Sequence, residues 1–198
     1  MTNQTHFGED SIARILSSVT KQDARPFILV LDGPGGSGKS TLARELAAVS
    51  DGAVAIVQGD DFYADLDDEY RASLDAEGGY QEYFDWRRLR DQVFQPARAG
   101  KVVTYQRYDW DHGRLGDWVT VPDVDVLIVE GVRCARPELR EYADTVVWVN
   151  TSERERLHRQ IARGENEAIW IQRWMAAENY YREHVHQPGP DDIEITGE

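Results

Sequence analysis

Gly33-Pro34-Gly35-Gly36-Ser37-Gly38-Lys39-Ser40 stands between the apolar run Phe27-Ile28-Leu29-Val30-Leu31 and a periodic stretch carrying Leu42, Leu46 and Val49. The octet satisfies G-x-x-x-x-G-K-[ST], with the strand before it and the amphipathic helix after it that such a loop requires. Its glycines let the backbone curl until successive N–H groups point inward and form a cradle for phosphate oxygens. The helix N-terminus adds partial positive charge at the same place. In this pattern Lys39 contacts the β- and γ-phosphates of a nucleotide, Ser40 faces Mg²⁺, and residues 33–41, Thr41 included, hold ATP.

Outward from the loop, apolar runs at 53–57, 124–129 and 145–149 are short, unalternating and rich in Val and Ile, as strands covered on both faces are. Helical spacing separates them. Ile12, Ile15, Leu16 and Val19 follow i, i+3, i+4, i+7, and Leu89 and Val93 precede an expected stop at Pro96. The alternation predicts an α/β fold, a doubly wound parallel sheet of the P-loop NTPase type with helices on both faces. A last strand is expected at 193–196. With 198 residues and no repeat or linker, the chain reads as one domain, 1–198, with an acceptor-side insertion at about 60–118 and a helical lid at about 152–166.

Composition narrows the partners. A formal net charge of −14 repels nucleic-acid backbones, so a small-molecule acceptor is expected beside ATP, and homo-oligomerisation is left open. No apolar run reaches the ~18 residues of a membrane span, and residues 1–10 lack signal-peptide character, so the expected location is cytoplasmic, without a membrane partner. The single cysteine, Cys134, reads as a packing residue.

Acids at strand ends supply the candidate chemistry. Glu130 closes the run at 124–129 and is placed beside the phosphate cradle, as a Mg²⁺ ligand directly or through water. Asp60 and Asp61 follow the second strand on the same rim, where a carboxylate can take the proton of an attacking hydroxyl; Asp60 is the first choice and Asp61 the second. Residues 152–163 read as a helix opened by Ser152 with Glu155 in a capping box. On it Arg156, Arg159 and Arg163 share a narrow wedge, either salt-bridged to carboxylates or closing over the ATP phosphates. The stripe Trp170, Trp174, Ala177, Tyr181, Val185 is assigned to packing. Segment 65–82, acidic except for Arg71, reads equally as a flap or a solvated insertion.

Asp60-Asp61-Phe62-Tyr63 resembles the D-S-F-Y segment of uridine kinases. The stretch from Tyr105 through Tyr108 and His112 to Arg114 resembles their Y-D-F-x-x-H-x-R segment, and Phe84-Asp85 their F-D pair. Residues 122–131 are similar to the stretch that closes their magnesium site. The resemblance runs from about 27 to 164. It implies Asp60 as general base, Arg159 and Arg163 as catalytic lid arginines, and Tyr63, Phe84, Asp85, Tyr108 and His112 on a nucleoside-like acceptor; Asp61 and Arg114 are expected to bind the acceptor beside them. Three departures fall on the acceptor side: Asp61 in place of Ser, a His segment one residue shorter, and Trp86 where His-Pro is usual. Acceptors like those of phosphoribulokinases or pantothenate kinases therefore stay open beside uridine or cytidine, as does a regulatory nucleotide-binding protein.

Overall fold

Helix and strand alternate through the computed structural model, which describes residues 7–20, 22–164 and 167–197. After α1 (Glu9–Ser18) come β1 (Phe27–Asp32), α2 (Lys39–Val49) and β2 (Val54–Gln58). An excursion follows: a 3₁₀ turn at Gly59–Phe62, α3 (Asp68–Ser73), α4 (Ala76–Glu82), α5 (Trp86–Leu89), α6 (Gln95–Arg98), and the hairpin β3 (Thr104–Asp109) with β4 (Arg114–Thr120). The chain returns through β5 (Val126–Glu130), α7 (Pro137–Arg140), β6 (Thr145–Asn150), α8 (Glu153–Arg163), α9 (Ala168–Tyr180) and β7 (Ile193–Thr196).

The main sheet has the order β2-β5-β1-β6-β7 with every pairing parallel. β1 is buried at all six positions because it is central and covered on both faces. Ile28 and Val30 enter a layer with Leu89, Val93 and Phe94; Phe27, Leu29 and Leu31 enter one with Ile15, Leu42 and Leu46. This is the expected parallel sheet flanked by helices. Register sets Leu31 and Gln58 on either side of Glu130, so the carboxyl ends of three strands share one rim.

Pro96 does not end its helix. A π turn at Arg90–Phe94 links α5 to α6, the Gln95 N–H bonding back to Arg90 O, and Pro96 sits in the first turn of the following segment. There its missing N–H costs no helical hydrogen bond. Segment 65–82 carries two short helices, with Asp67 and Asp75 capping α3 and α4. Arg71 is buried, bonded to the carbonyls of Ala64 and Leu66. The expected lid reaches to 166, of which residues 165 and 166 lie outside the described residues.

Candidate functional site

The phosphate loop closes as the glycine spacing requires. Gly36 and Gly38 hold φ of 78° and 104°, a region that side chains disfavour. A Cβ on Gly36 would lie 2.9 Å from Arg156 O, so its absence also lets the lid helix α8 settle on the loop. Lys39 is buried, its Nζ donating to Pro34 O at 2.9 Å. A chamber of about 290 Å³ opens here, lined by Gly38, Lys39, Ser40, Thr41, Glu130 and, at one end, Asp60 and Arg163. Burial raises the pKa of Glu130, against the pull of Lys39 and the Ser40 hydroxyl. A hydroxyl and a carboxylate side by side at the phosphate cradle suit Mg²⁺, which takes one or two protein oxygens and completes its shell with water and phosphate.

The 3₁₀ turn separates the two candidate bases. Three residues per turn swing neighbouring side chains by roughly 120°, and the aspartates part company. Asp61 turns to the hairpin and accepts the Tyr105 hydroxyl at 2.9 Å. Asp60 opens onto the cleft, yet it stands on the cleft floor with protein around it; that desolvation raises its pKa, opposed chiefly by Lys39 and then by Arg163 and Arg133.

A second chamber of about 640 Å³ adjoins the first, sharing Gly35, Gly36, Asp60, Val132 and Arg163. Its far walls are aromatic: Tyr63, Phe84, Trp110 and Trp174. Trp110 stacks on Tyr63 with ring centroids 4.6 Å apart, Phe84 meets Tyr63 edge-on at 5.3 Å, and Trp174 Nε1 donates to the Tyr63 hydroxyl at 3.2 Å. Arg71 also lies 4.9 Å from the Tyr63 ring. Trp110 is half exposed, the most exposed of the four rings.

Other expected acceptor residues stand behind or beside these walls. Tyr108 is buried edge-on against Tyr63 and Trp110. Asp85 caps α5, accepting the Arg88 N–H at 3.0 Å. His112 is exposed on the hairpin turn, its Nδ1 2.8 Å from Asp109 Oδ2, and Arg114 is exposed at the start of β4. None of these four, nor Asp61, lines the larger chamber.

The lid arginines divide the work. Arg156 is fully buried and pairs with Glu178 at 3.3 Å. Arg159 binds Glu155 at 2.8 Å and donates to Gly36 O at 3.1 Å. Arg163 is exposed and borders both chambers.

A family model described as AAA domain matches residues 29–183, from within β1 to beyond α9, and so takes in both chambers. The uridine kinase of Clostridium novyi is 30% identical over 147 residues, 70% of this chain and 68% of that protein. The chain belongs to the AAA-domain family, among the P-loop kinases related to uridine kinase. Uridine-cytidine kinase B of Dictyostelium discoideum is 30% identical over 148 residues, 73% of this chain but only 60% of that protein's length. A structure from Bacillus stearothermophilus described as a possible uridine kinase superposes with a TM-score of 0.72 at 24% identity, covering 94% of this chain and 97% of that one. D-glycerate 3-kinase from Cryptococcus neoformans superposes at 0.56 and 16% identity, with 94% and 91% covered. At these identities the structures show a shared fold.

Three residues of this P-loop kinase, besides Arg133, escaped the sequence. Asp32, completely buried, accepts from Gly33 N, Arg133 N, Ala135 N and the Tyr181 hydroxyl at 2.6 to 2.8 Å, tying the phosphate loop to the wall of the acceptor chamber. Its signal was an acid ending an otherwise apolar strand. Glu178 packs on Gly35, where a Cβ would sit 2.8 Å from its Oε1. Trp174 belongs to the expected packing stripe and is at the same time chamber wall. Cys134 is 1% exposed in the core, as read. No helix among the described residues is long and apolar enough to cross a membrane.

Proposed function

We propose that this chain transfers the γ-phosphate of ATP to a hydroxyl of a small molecule with a planar, nucleoside-like part. The observation that carries the reading is the shared border: Asp60 and Arg163 belong to both chambers, so a donor on the glycine loop and an acceptor against the aromatic walls meet at a carboxylate and a guanidinium. Transfer of this kind needs alignment and charge neutralisation more than covalent help. Asp60 takes the proton as the acceptor oxygen bonds to phosphorus and the bridging oxygen leaves with ADP. Its raised pKa makes it a stronger base than an ordinary carboxylate. Lys39 and Arg163 face the charge on the transferring group, and Arg159 holds the loop through Gly36 O. Mg²⁺, on Ser40 and Glu130, would neutralise phosphate charge.

The uridine kinase relatives and the aromatic lining support a pyrimidine nucleoside as acceptor class. A protein that only switched on nucleotide binding would have no use for a chamber of this size beside Asp60. Incubation with ATP, Mg²⁺ and a panel of nucleosides and other alcohols tests the reading. ADP formation that depends on one of the alcohols is expected; ATP consumption indifferent to every alcohol would sink it.

A further inference from the structure

Arg133, in the loop after β5, lines the acceptor chamber and not the phosphate chamber. It is 4% exposed, and among the described residues no carboxylate pairs with it; Glu178, the acid that bears on it most, pairs with Arg156. Nη1 donates to the carbonyls of Gly79 and Tyr80 at 2.7 and 3.0 Å, while Nε and Nη2 have no partner. A buried guanidinium without an anion is costly, and two unbonded nitrogens add to that cost. The backbone is strained as well. Arg133 is the one non-glycine residue described with a positive φ, 64°, a conformation secured by its N–H to Asp32 at 2.8 Å. Anchoring the α4 carbonyls accounts for Nη1 alone.

Nε and Nη2 form the edge of a guanidinium that takes a carboxylate or phosphate with two parallel hydrogen bonds. The Phe84 ring, 5.0 Å from the guanidinium carbon, belongs to the same chamber wall. Donor phosphates have Lys39 in their own chamber and Arg163 at the border, whereas Arg133 faces only the acceptor chamber. We propose that Arg133 is the acceptor-reading residue and that the acceptor is an alcohol bearing an acidic group, carboxylate or phosphate. The inference rests on the kinase reading and narrows its substrate.

Alcohols that differ by one acidic group test it: uridine against orotidine, and glycerol against glycerate and glycerol 3-phosphate, each with wild-type protein, ATP and Mg²⁺. The acidic member of a pair is expected to show the lower KM and the larger rise in melting temperature, the latter measured without ATP; whether glycerate or glycerol 3-phosphate responds tells carboxylate from phosphate. Arg133→Gln should raise the KM of the acidic member about 30-fold, as loss of a charged hydrogen-bond pair does, and that of the neutral member far less. Arg133→Lys keeps the charge without the fork and should fall between. Equal or better use of the neutral member by wild-type protein would overturn the inference, as would an equal KM rise for both members in either variant; the kinase reading would survive both. If every alcohol left ATP consumption and melting temperature unchanged, the two would fall together.

Discussion

The two chambers meet at Asp60 and Arg163 and are built in opposite ways. The phosphate chamber is mostly one short stretch of backbone: amides between two elements, a lysine and a hydroxyl, with Glu130 brought by the neighbouring strand and Asp60 at the border. Side chains of the acceptor chamber come from six separated segments: the 3₁₀ turn with Tyr63 after it, Phe84 ahead of α5, the hairpin turn, the loop after β5, α8, and α9. Backbone amides aimed at phosphate are indifferent to what else the substrate carries, whereas aromatic rings and guanidiniums are not. Catalytic power should therefore be lost at the first chamber and selectivity at the second.

Lys39→Ala attacks the shared machinery and should lower turnover about 10³-fold with every alcohol, the scale for removing a preorganised charge stabiliser. A loss confined to some acceptors would break the contrast between the chambers. Asp60→Asn, at the border, should cost about 10²-fold in kcat by removing the base. In the wild type, kcat/KM should rise with pH through a limb above the ordinary carboxylate range, because desolvation by the protein around the cleft raises the Asp60 pKa. The same shift bears on stability. A raised folded-state pKa contributes stability that is present below the ordinary range and lost as pH rises through the raised value. The Asn variant should thus melt above the wild type at neutral pH, with the gap closing on acidification; a gap that widens in acid would show the Asp60 charge to be stabilising.

On the acceptor side the effects are smaller and selective. Trp110→Ala should raise the KM of a planar acceptor about tenfold, the scale of lost ring stacking, and leave the KM for ATP alone, as steady-state kinetics in both substrates would show. His112→Ala should change acceptor KM by no more than about threefold, since its ion-pair partner is the partly exposed Asp109 and surface pairs contribute little. A larger change would bring His112 to the acceptor, as the uridine kinase resemblance implies.

Pro96 and Arg133 show where legibility stopped. A proline in a helical pattern ordinarily marks an end, and only the π turn before it, set by packing of Val93 and Phe94 into the core, removed the conflict. Arg133 follows Glu130-Gly131 by two residues and looks in the sequence like any surface arginine. Its burial depends on α4, Phe84 and Asp32, none of them near it in the chain. Trp174 was readable as an apolar face of α9 but not as a wall, because periodicity reports which side of a helix is covered and not what covers it.

The sequence by itself determined the parallel sheet and the phosphate cradle. Both follow from local rules: runs of Val and Ile that must be covered on two faces, and a glycine spacing that only one backbone path satisfies. Tertiary structure decided which aspartate opens onto the cleft, which aromatic ring stays most exposed, and which arginine is buried without an anion. Those outcomes depend on distances between segments far apart in the chain, and such distances exist only once the helices have docked on the sheet.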